Sequence, residues 1–105
     1  MTQLPTTFAA LGNATRLAIV EQLLAEGEQS AGMLQADAKI TPPAMSRHLK
    51  VLREAGILVQ RVDAQRRLYS VEPTAVQAIS EWALNFREFW TGSLDRLDAA
   101  LKAAK

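Results

Sequence analysis

Polar and basic side chains share one side of a short stretch of the chain, residues 41–57, which reads TPPAMSRHLKVLREAGI. Successive residues of an α-helix lie about 100° apart, and this spacing gathers five of them on one face. They are Pro43, Ser46, Arg47, Lys50 and Glu54. This face offers hydrogen-bond donors for base edges and cations for phosphates, and it has only one acid. Such a face suits a DNA major groove. A solvated helix surface has a similar composition, so this face alone leaves both interpretations open.

The helix that carries this face has both of its ends specified. Thr41 is a good N-cap, Pro42 is tolerated in the first turn, and Gly56 can take the left-handed conformation that ends a helix. The opposite side is apolar and is predicted to be core; it holds Met45, Leu49 and Leu52.

Charge is unevenly distributed along the chain. The net charge of +1 over 105 residues is too small to indicate nucleic acid, but residues 41–70 carry +4 and the remainder carries −3. The bases of that segment are Arg47, Lys50, Arg53, Arg61, Arg66 and Arg67. Such segregation is expected when one surface faces a polyanion.

Composition excludes several classes of protein. With no cysteine, the chain has no disulfide, thiolate metal site or iron–sulfur cluster, and with His48 alone a histidine-rich metal site is not expected. No cofactor is predicted. The sequence has no nucleophile with a paired histidine and carboxylate, and it has no phosphate-binding glycine loop. We therefore reject an enzymatic function. The 105 residues predict one domain, 1–105, and the lack of a membrane span or secretory signal predicts a cytoplasmic protein with no membrane partner.

The first two predicted helices precede the basic segment. One spans residues 6–11, with Phe8 and Leu11 a turn apart, and the next begins after Asn13 as N-cap and ends near Gly27. Its spacing assigns five residues to the core: Leu17, Ile19, Val20, Leu23 and Leu24. Arg16 lies in the first turn, where a cation opposes the helix dipole, so it needs a partner, either an acid, which we favour, or a phosphate.

A third helix and a hairpin flank the basic helix. Residues 30–38, with Ser30 as N-cap, form a short helix that a tight turn joins to the basic one, so that residues 30–55 have the elements of a helix-turn-helix. Residues 57–72 then form a hairpin whose charged tip holds Arg66 and Arg67. These arginines suit a minor groove or flanking phosphates, although hairpin tips are also polar simply because they are solvated.

The C-terminal segment, residues 74–103, is predicted to be one long helix. Apolar residues follow spacings of three and four for about seven turns. The stripe includes Ile79, Trp82, Phe86, Phe89, Trp90, Leu94 and Leu97. A helix of some 30 residues extends roughly 45 Å, farther than one small domain can cover, which predicts a second copy of the chain as partner. For the two tryptophans, we favour packing in the core or in the dimer interface. The alternative is that they line a ligand pocket.

The order of these elements and their sequence motifs resemble those of the ArsR-type, or ArsR/SmtB, winged-helix transcriptional regulators. Three stretches carry the resemblance: FAALGNATRLAIVEQL, SAGMLQADAKITPPAMSRHLKVLREAGILVQR and RRLYSV. The last helix, WALNFREFWTGSLDRLDAAL, resembles a branch with paired aromatics that includes autorepressors. The resemblance implies a mainly α fold with a small β-hairpin wing, in the order α-α-α-α-β-β-α, that dimerises through its first and last helices.

The resemblance also implies roles for individual residues. Pro43, Ser46 and Arg47 are expected at bases or nearby phosphates, Lys50 at phosphate, and Arg66 in the wing. His48 belongs to the family's sequence motif but lies beside the apolar stripe of the helix. This position favours packing support for the helix or a phosphate contact over base recognition. The third helix lacks the cysteines and the last helix the histidines of the metal-sensing members, so metal sensing is not transferred.

Two departures concern the turns. Lys39 stands where the family often has glycine in the helix-turn-helix turn, so either it is left-handed or the turn differs. Gln65 stands where the wing tip often has glycine, which leaves the tip geometry open.

The sequence therefore predicts a homodimeric repressor that binds double-stranded DNA at a palindromic operator. The alternative is a regulator that responds to a small molecule or stress, with an apolar effector site near the aromatic last helix. A winged helix that binds only protein is a third hypothesis, and the +4 segment disfavours it.

Overall fold

Six helices and three strands make up residues 3–104, the part of the chain that the computed structural model describes. In chain order they are α1 (Leu4–Leu11), α2 (Ala14–Glu26), β1 (Gln29–Ser30), α3 (Ala31–Asp37), α4 (Pro42–Glu54), β2 (Leu58–Asp63), β3 (Arg66–Val71), α5 (Pro73–Leu84) and α6 (Arg87–Ala103). The predicted fold class, mainly α with a β-hairpin wing, is confirmed. The predicted domain range also includes residues 1, 2 and 105, which lie outside the described ones. Within residues 3–104, every helix is too short or too polar to cross a bilayer.

The predicted N-caps of α2, α3 and α4 are confirmed by their hydrogen bonds, whereas α1 begins at Leu4, two residues before its predicted start. Each N-cap side chain accepts from the backbone N–H three residues later, Asn13 at 3.1 Å, Ser30 at 3.2 Å and Thr41 at 3.3 Å. Gly27 and Gly56 end α2 and α4 with φ values of 82° and 79°, a region that glycine enters without steric cost. These ends fix the length of α4 and the point at which the wing begins.

The core lies where α2, α3, α4 and β3 meet. The apolar side of α4 is buried as predicted, and Leu52 is fully enclosed. The prediction for α2 was partly wrong, because Leu17 and Leu24 are 42% and 55% exposed. The residues that α2 does bury are Ile19, Val20 and Leu23. Leu17 and Leu24 lie about 100° around the helix from the centre of that buried arc, so they point away from the core.

The wing belongs to a three-stranded antiparallel sheet in the order β1-β3-β2. Sequence analysis missed β1, which has only two residues and pairs Gln29 with Tyr69. A two-residue turn joins β2 to β3, and its first residue, Ala64, has φ 58°, whereas Gln65 is not left-handed. The turn contains no glycine, so the left-handed conformation falls on Ala64 and costs roughly 1–2 kcal/mol.

The turn of the helix-turn-helix differs from one that needs glycine. Among residues 3–104, Ala64 is the sole non-glycine residue with positive φ, so Lys39 is not left-handed. Instead, the Gln35 side-chain amide donates to the Ile40 carbonyl at 2.5 Å and closes the turn from α3. The turn from α3 to α4 thus contains no left-handed residue and is closed by a side chain.

The C-terminal segment is two helices, and the prediction of one helix over 74–103 was wrong. Asn85 and Phe86 separate them, and Phe86 has φ −108° and ψ 26°. Its N–H bonds to the Ala83 carbonyl at 3.2 Å, and the indole N–H of Trp90 donates to the same carbonyl at 3.2 Å. In a continuous helix that carbonyl would bind residue 87, so the indole replaces the bond that the break removes.

Candidate nucleic-acid interface

The outward face of α4 is free of the protein core along its length. Pro43, Ser46, Arg47 and Lys50 are all exposed, whereas the opposite side of the same helix is buried. Lys50 lies 3.9 Å from Glu54 one turn later, in a solvated pair worth at most about 1 kcal/mol. A phosphate can replace Glu54 as the partner of Lys50 at little cost.

The wing and α4 border one continuous surface. One groove is lined by Arg66 and Arg67 at the wing and by Ala31 and Gly32 at the start of α3. A second groove shares Ala31 and Gly32 and continues to Pro42 and Ser46 of α4. The structure thus brings the predicted wing arginines and the start of the predicted reading helix to adjoining grooves. Arg66 is exposed and lies 3.4 Å from Asp63, a weak pair across the turn.

Two other arginines of the basic segment brace the wing. Arg61 forms a two-pronged ion pair with Glu28, at 2.8 and 2.7 Å, which joins β2 to the residue before β1. The bond from Arg61 lowers the pKa of Glu28. Arg53, in the last turn of α4, donates to the side chain of Gln60 on β2. The Arg53 contact holds the wing against α4, and the ion pair with Glu28 leaves Arg61 less available to a phosphate.

His48 contacts Arg16 of α2, unlike the exposed candidate residues of α4. It is half-buried, and its Nδ1 lies 3.4 Å from Nη1 of Arg16 on α2. Nε of Arg16 donates to the Ala10 carbonyl in the last turn of α1, at 2.7 Å. The prediction of an acid as the partner of Arg16 was therefore wrong, since Arg16 contacts a carbonyl and an imidazole. Burial first, and then the charges of Arg16 and Arg47, lower the pKa of His48.

The predicted dimer residues form an exposed aromatic and aliphatic surface. Phe8 of α1 meets Trp82 of α5 edge to face at 5.3 Å between ring centroids, and Trp82 meets Phe86 in the same way at 5.5 Å. Ile79 is partly buried. The remaining large apolar residues of this surface are at least half exposed: Phe89, Trp90, Leu94 and Leu97. Among residues 3–104, no group of three histidine, cysteine, aspartate or glutamate side chains is placed to hold a metal ion.

Two residues that contribute to this architecture were not singled out by sequence analysis for the roles they have. Gln35 closes the helix-turn-helix turn, and the sequence carries no signal for it because a glutamine in a helix is ordinarily solvated. Arg16 did carry a signal, a cation in a first helical turn, but the sequence could not show that the end of α1 and His48 would be its partners.

Comparison with known proteins agrees with the class that this geometry defines, a winged helix-turn-helix protein. A family described as a helix-turn-helix domain matches residues 11–61. The HTH-type transcriptional regulator Rv2034 of Mycobacterium tuberculosis is 40% identical over 85 residues, which cover 81% of this chain and 76% of that protein. The transcriptional repressor SdpR of Bacillus subtilis is 33% identical over 79 residues, covering 75% of this chain and 87% of SdpR.

A solved structure shares the fold. The crystal structure of the ArsR family transcriptional regulator RHA00566 superposes with a TM-score of 0.74 at 24% identity, over 85% of this chain and 91% of that one. Taken with the relatives above, the chain belongs to the ArsR/SmtB-type winged helix-turn-helix transcriptional regulators. It is a DNA-binding regulator of transcription, and the family resemblance predicted from the sequence is confirmed.

Proposed function

We propose that the protein is a homodimeric repressor that binds a palindromic operator through α4 and the wing. The single observation that carries this proposal is the continuous surface from the wing arginines, past the start of α3, to the exposed face of α4. Arg47 and Ser46 read base edges in the major groove, Lys50 and Pro43 lie at the backbone, and Arg66 and Arg67 contact the flanking DNA.

The dimer is supported by the shape of a single chain. Its radius of gyration is 17.9 Å, whereas a compact domain of about 100 residues has roughly 13 Å. Within the described residues, no side chain of α5 or α6 is fully buried. Complete burial of a large apolar side chain contributes roughly 1.5–3 kcal/mol, and Phe89, Trp90, Leu94 and Leu97 are 53–67% exposed, so covering all four contributes roughly 4–7 kcal/mol. A second copy of the chain, joined through α1, α5 and α6, provides that cover.

A two-fold dimer dictates the form of the operator. Two copies of α4 enter successive major grooves on one side of the duplex, so the centres of the half-sites lie about 10 bp apart and the sequence is an imperfect palindrome. Repression follows when the operator overlaps a promoter and the bound dimer excludes polymerase. Selection of bound duplexes from a random pool tests this spacing directly.

Two substitutions on α4 test the proposed roles. Arg47→Ala is expected to reduce the preference for operator over random DNA by roughly 10- to 100-fold, because a base contact carries the discrimination. Lys50→Ala is expected to weaken both duplexes alike and to reduce the slope of log Kd against log salt by about one per protomer, because a phosphate contact releases counterions. Fluorescence anisotropy at four salt concentrations measures both quantities.

Arg96→Ala is the matched control, since Arg96 is an exposed arginine of α6 that donates to the Ser93 hydroxyl at 3.2 Å. It should leave the affinity and the salt slope unchanged. Equal losses on operator and random DNA for Arg47→Ala contradict its assignment as a base reader. A wild-type protein that ignores every duplex at low salt overturns the proposed function.

A second candidate function is supported by a groove in the aromatic surface. Trp82, Phe86, Phe89 and Trp90 line an open apolar groove at the break between α5 and α6. An apolar small molecule seated there would compete with the dimer contact or stiffen the break and so change DNA affinity. Both tryptophans of the chain lie in this groove, so their fluorescence reports on it. Titration with apolar compounds should shift the emission and release the operator together; a flat response in both contradicts this function.

A further inference from the structure

Arg16 lies at a point where three helices meet. It is in the first turn of α2, where the helix dipole disfavours a cation. Its Nε donates to the Ala10 carbonyl at 2.7 Å. Ala10 is in the last turn of α1, where carbonyls lack helical partners and carry partial negative charge. The end of α1 therefore offsets the unfavourable position of Arg16 at the start of α2.

The second contact of Arg16 determines which ring nitrogen of His48 carries the proton. A guanidinium has donors only, so Nδ1 of His48, 3.4 Å from Nη1, must be the acceptor. The neutral ring then carries its proton on Nε2. The lowered pKa of His48 agrees with this arrangement, since protonation would place an N–H against the guanidinium. Nε2 has no partner within the described residues and is not sealed from solvent.

We propose that Arg16 is a positioning residue for DNA binding, which holds α4 at a fixed rotation against the end of α1 by bonding both Ala10 and His48. His48 is central in α4, and Arg47 precedes it directly, so a rotation that breaks the Arg16 contact also moves the side chain proposed to read bases. In this role neither Arg16 nor His48 touches a base. The inference rests on the proposed function, because DNA binding is the property that Arg16 positions.

The substitution Arg16→Lys tests the proposal because lysine keeps the charge but loses the fork that reaches two acceptors. We expect operator affinity to fall about tenfold, random-DNA affinity to change less than twofold, and the salt slope to stay constant, since the number of phosphate contacts is unchanged. Arg96→Lys is the matched control and should bind like the wild type.

Substitutions at His48 test the other end of the contact. His48→Asn keeps an acceptor near the position of Nδ1 and should bind the operator within about twofold of the wild type. His48→Leu removes the acceptor and should lose about tenfold. The double variant Arg16→Lys with His48→Leu should lose no more than either single change, because both break one interaction.

NMR gives a readout that does not depend on DNA. His48 is the chain's single histidine, so its imidazole nitrogen shifts are assigned without ambiguity. At pH 7.5 the wild type should show a protonated Nε2 and an unprotonated Nδ1, and Arg16→Lys should show a mixture of tautomers. A wild type with its proton on Nδ1 overturns the proposal.

Each alternative role for Arg16 has its own signature. A phosphate contact predicts that Arg16→Lys changes the salt slope and weakens operator and random DNA equally, and this result overturns the proposal. A purely structural role predicts a lower melting temperature with unchanged operator affinity, and that result also overturns it. If the wild type binds no duplex, the proposed function fails, while the tautomer of His48 still decides whether the Arg16 bond exists.

Discussion

At the scale of single residues, the titratable and charged side chains of α4 are distinguished by what they already contact. Lys50 has a solvated partner in Glu54, whereas His48 is tied to Arg16 at the edge of the core. Neighbouring positions on one helix therefore contribute differently. An exposed cation is free to exchange its partner for a phosphate, while a half-buried imidazole serves the packing of the helix.

The state of His48 predicts how stability depends on pH. Its pKa in the folded protein lies below the unfolded value of about 6.5, because burial and the charges of Arg16 and Arg47 disfavour the protonated ring. The neutral ring thus supports the fold fully above pH 6.5, and that support is lost as pH falls through the folded pKa. Urea unfolding from pH 7.5 to 5.0 should show a falling free energy of unfolding.

The matched variant for this measurement is His48→Asn, which cannot titrate. It should flatten the decline between pH 7 and 5, and Glu28 does not interfere because its lowered pKa places its own transition at more acidic pH. A decline of the same size in His48→Asn would assign the pH dependence to other groups.

At the scale of elements, the junction between α4 and the wing depends on one glycine. Gly56 has φ 79°, a conformation that costs an L-residue roughly 1–2 kcal/mol, and a Cβ there meets Gln3 at an ordinary 3.4 Å. Gly56→Ala should therefore lower the free energy of unfolding by about 1–2 kcal/mol through backbone strain and not through a clash. Chemical denaturation followed by circular dichroism measures it.

Gly32 provides the contrast within the same protein. It lies in α3 without positive φ, and a Cβ there meets only Ser30 Oγ at 3.8 Å. Gly32→Ala should leave stability unchanged or raise it by up to about 1 kcal/mol, because alanine loses less entropy in a helix. Equal destabilisation by both substitutions would show that φ is not the cause.

At the scale of the whole molecule, the extended C-terminal helices are the feature that one chain cannot complete. Leu97 is 56% exposed in the middle of α6, on the surface that we assign to the second copy. Leu97→Glu places a charge where apolar contact is expected, so the dimer should dissociate at micromolar concentration and operator affinity should fall at least tenfold. Sedimentation velocity measures the mass.

Leu24→Glu is the control, since Leu24 is 55% exposed on α2, outside the proposed dimer surface. It should remain dimeric and bind the operator. A wild type that sediments as a monomer at the same concentration contradicts the dimer, and a dimer that persists in Leu97→Glu excludes this part of α6 from the interface.

Much of the fold was already determined by the sequence because its signals are local. The N-caps at Asn13, Ser30 and Thr41, the left-handed Gly56 and the apolar side of α4 each depend on a few consecutive residues, and all are confirmed. The exposed face of α4 follows from the same periodicity, because the side of a helix opposite its buried stripe is left to solvent or to a partner.

Only the tertiary structure decided the features that depend on residues far apart in the chain. The two-residue β1 exists because β3 offers it an edge, and the exposure of Leu17 and Leu24 depends on which arc of α2 its neighbours cover. The break at Phe86 is stabilised by an indole one turn later, and Arg16 finds its partners on α1 and α4. In such contacts the donor and the acceptor come from different elements, and they meet only after the helices have packed.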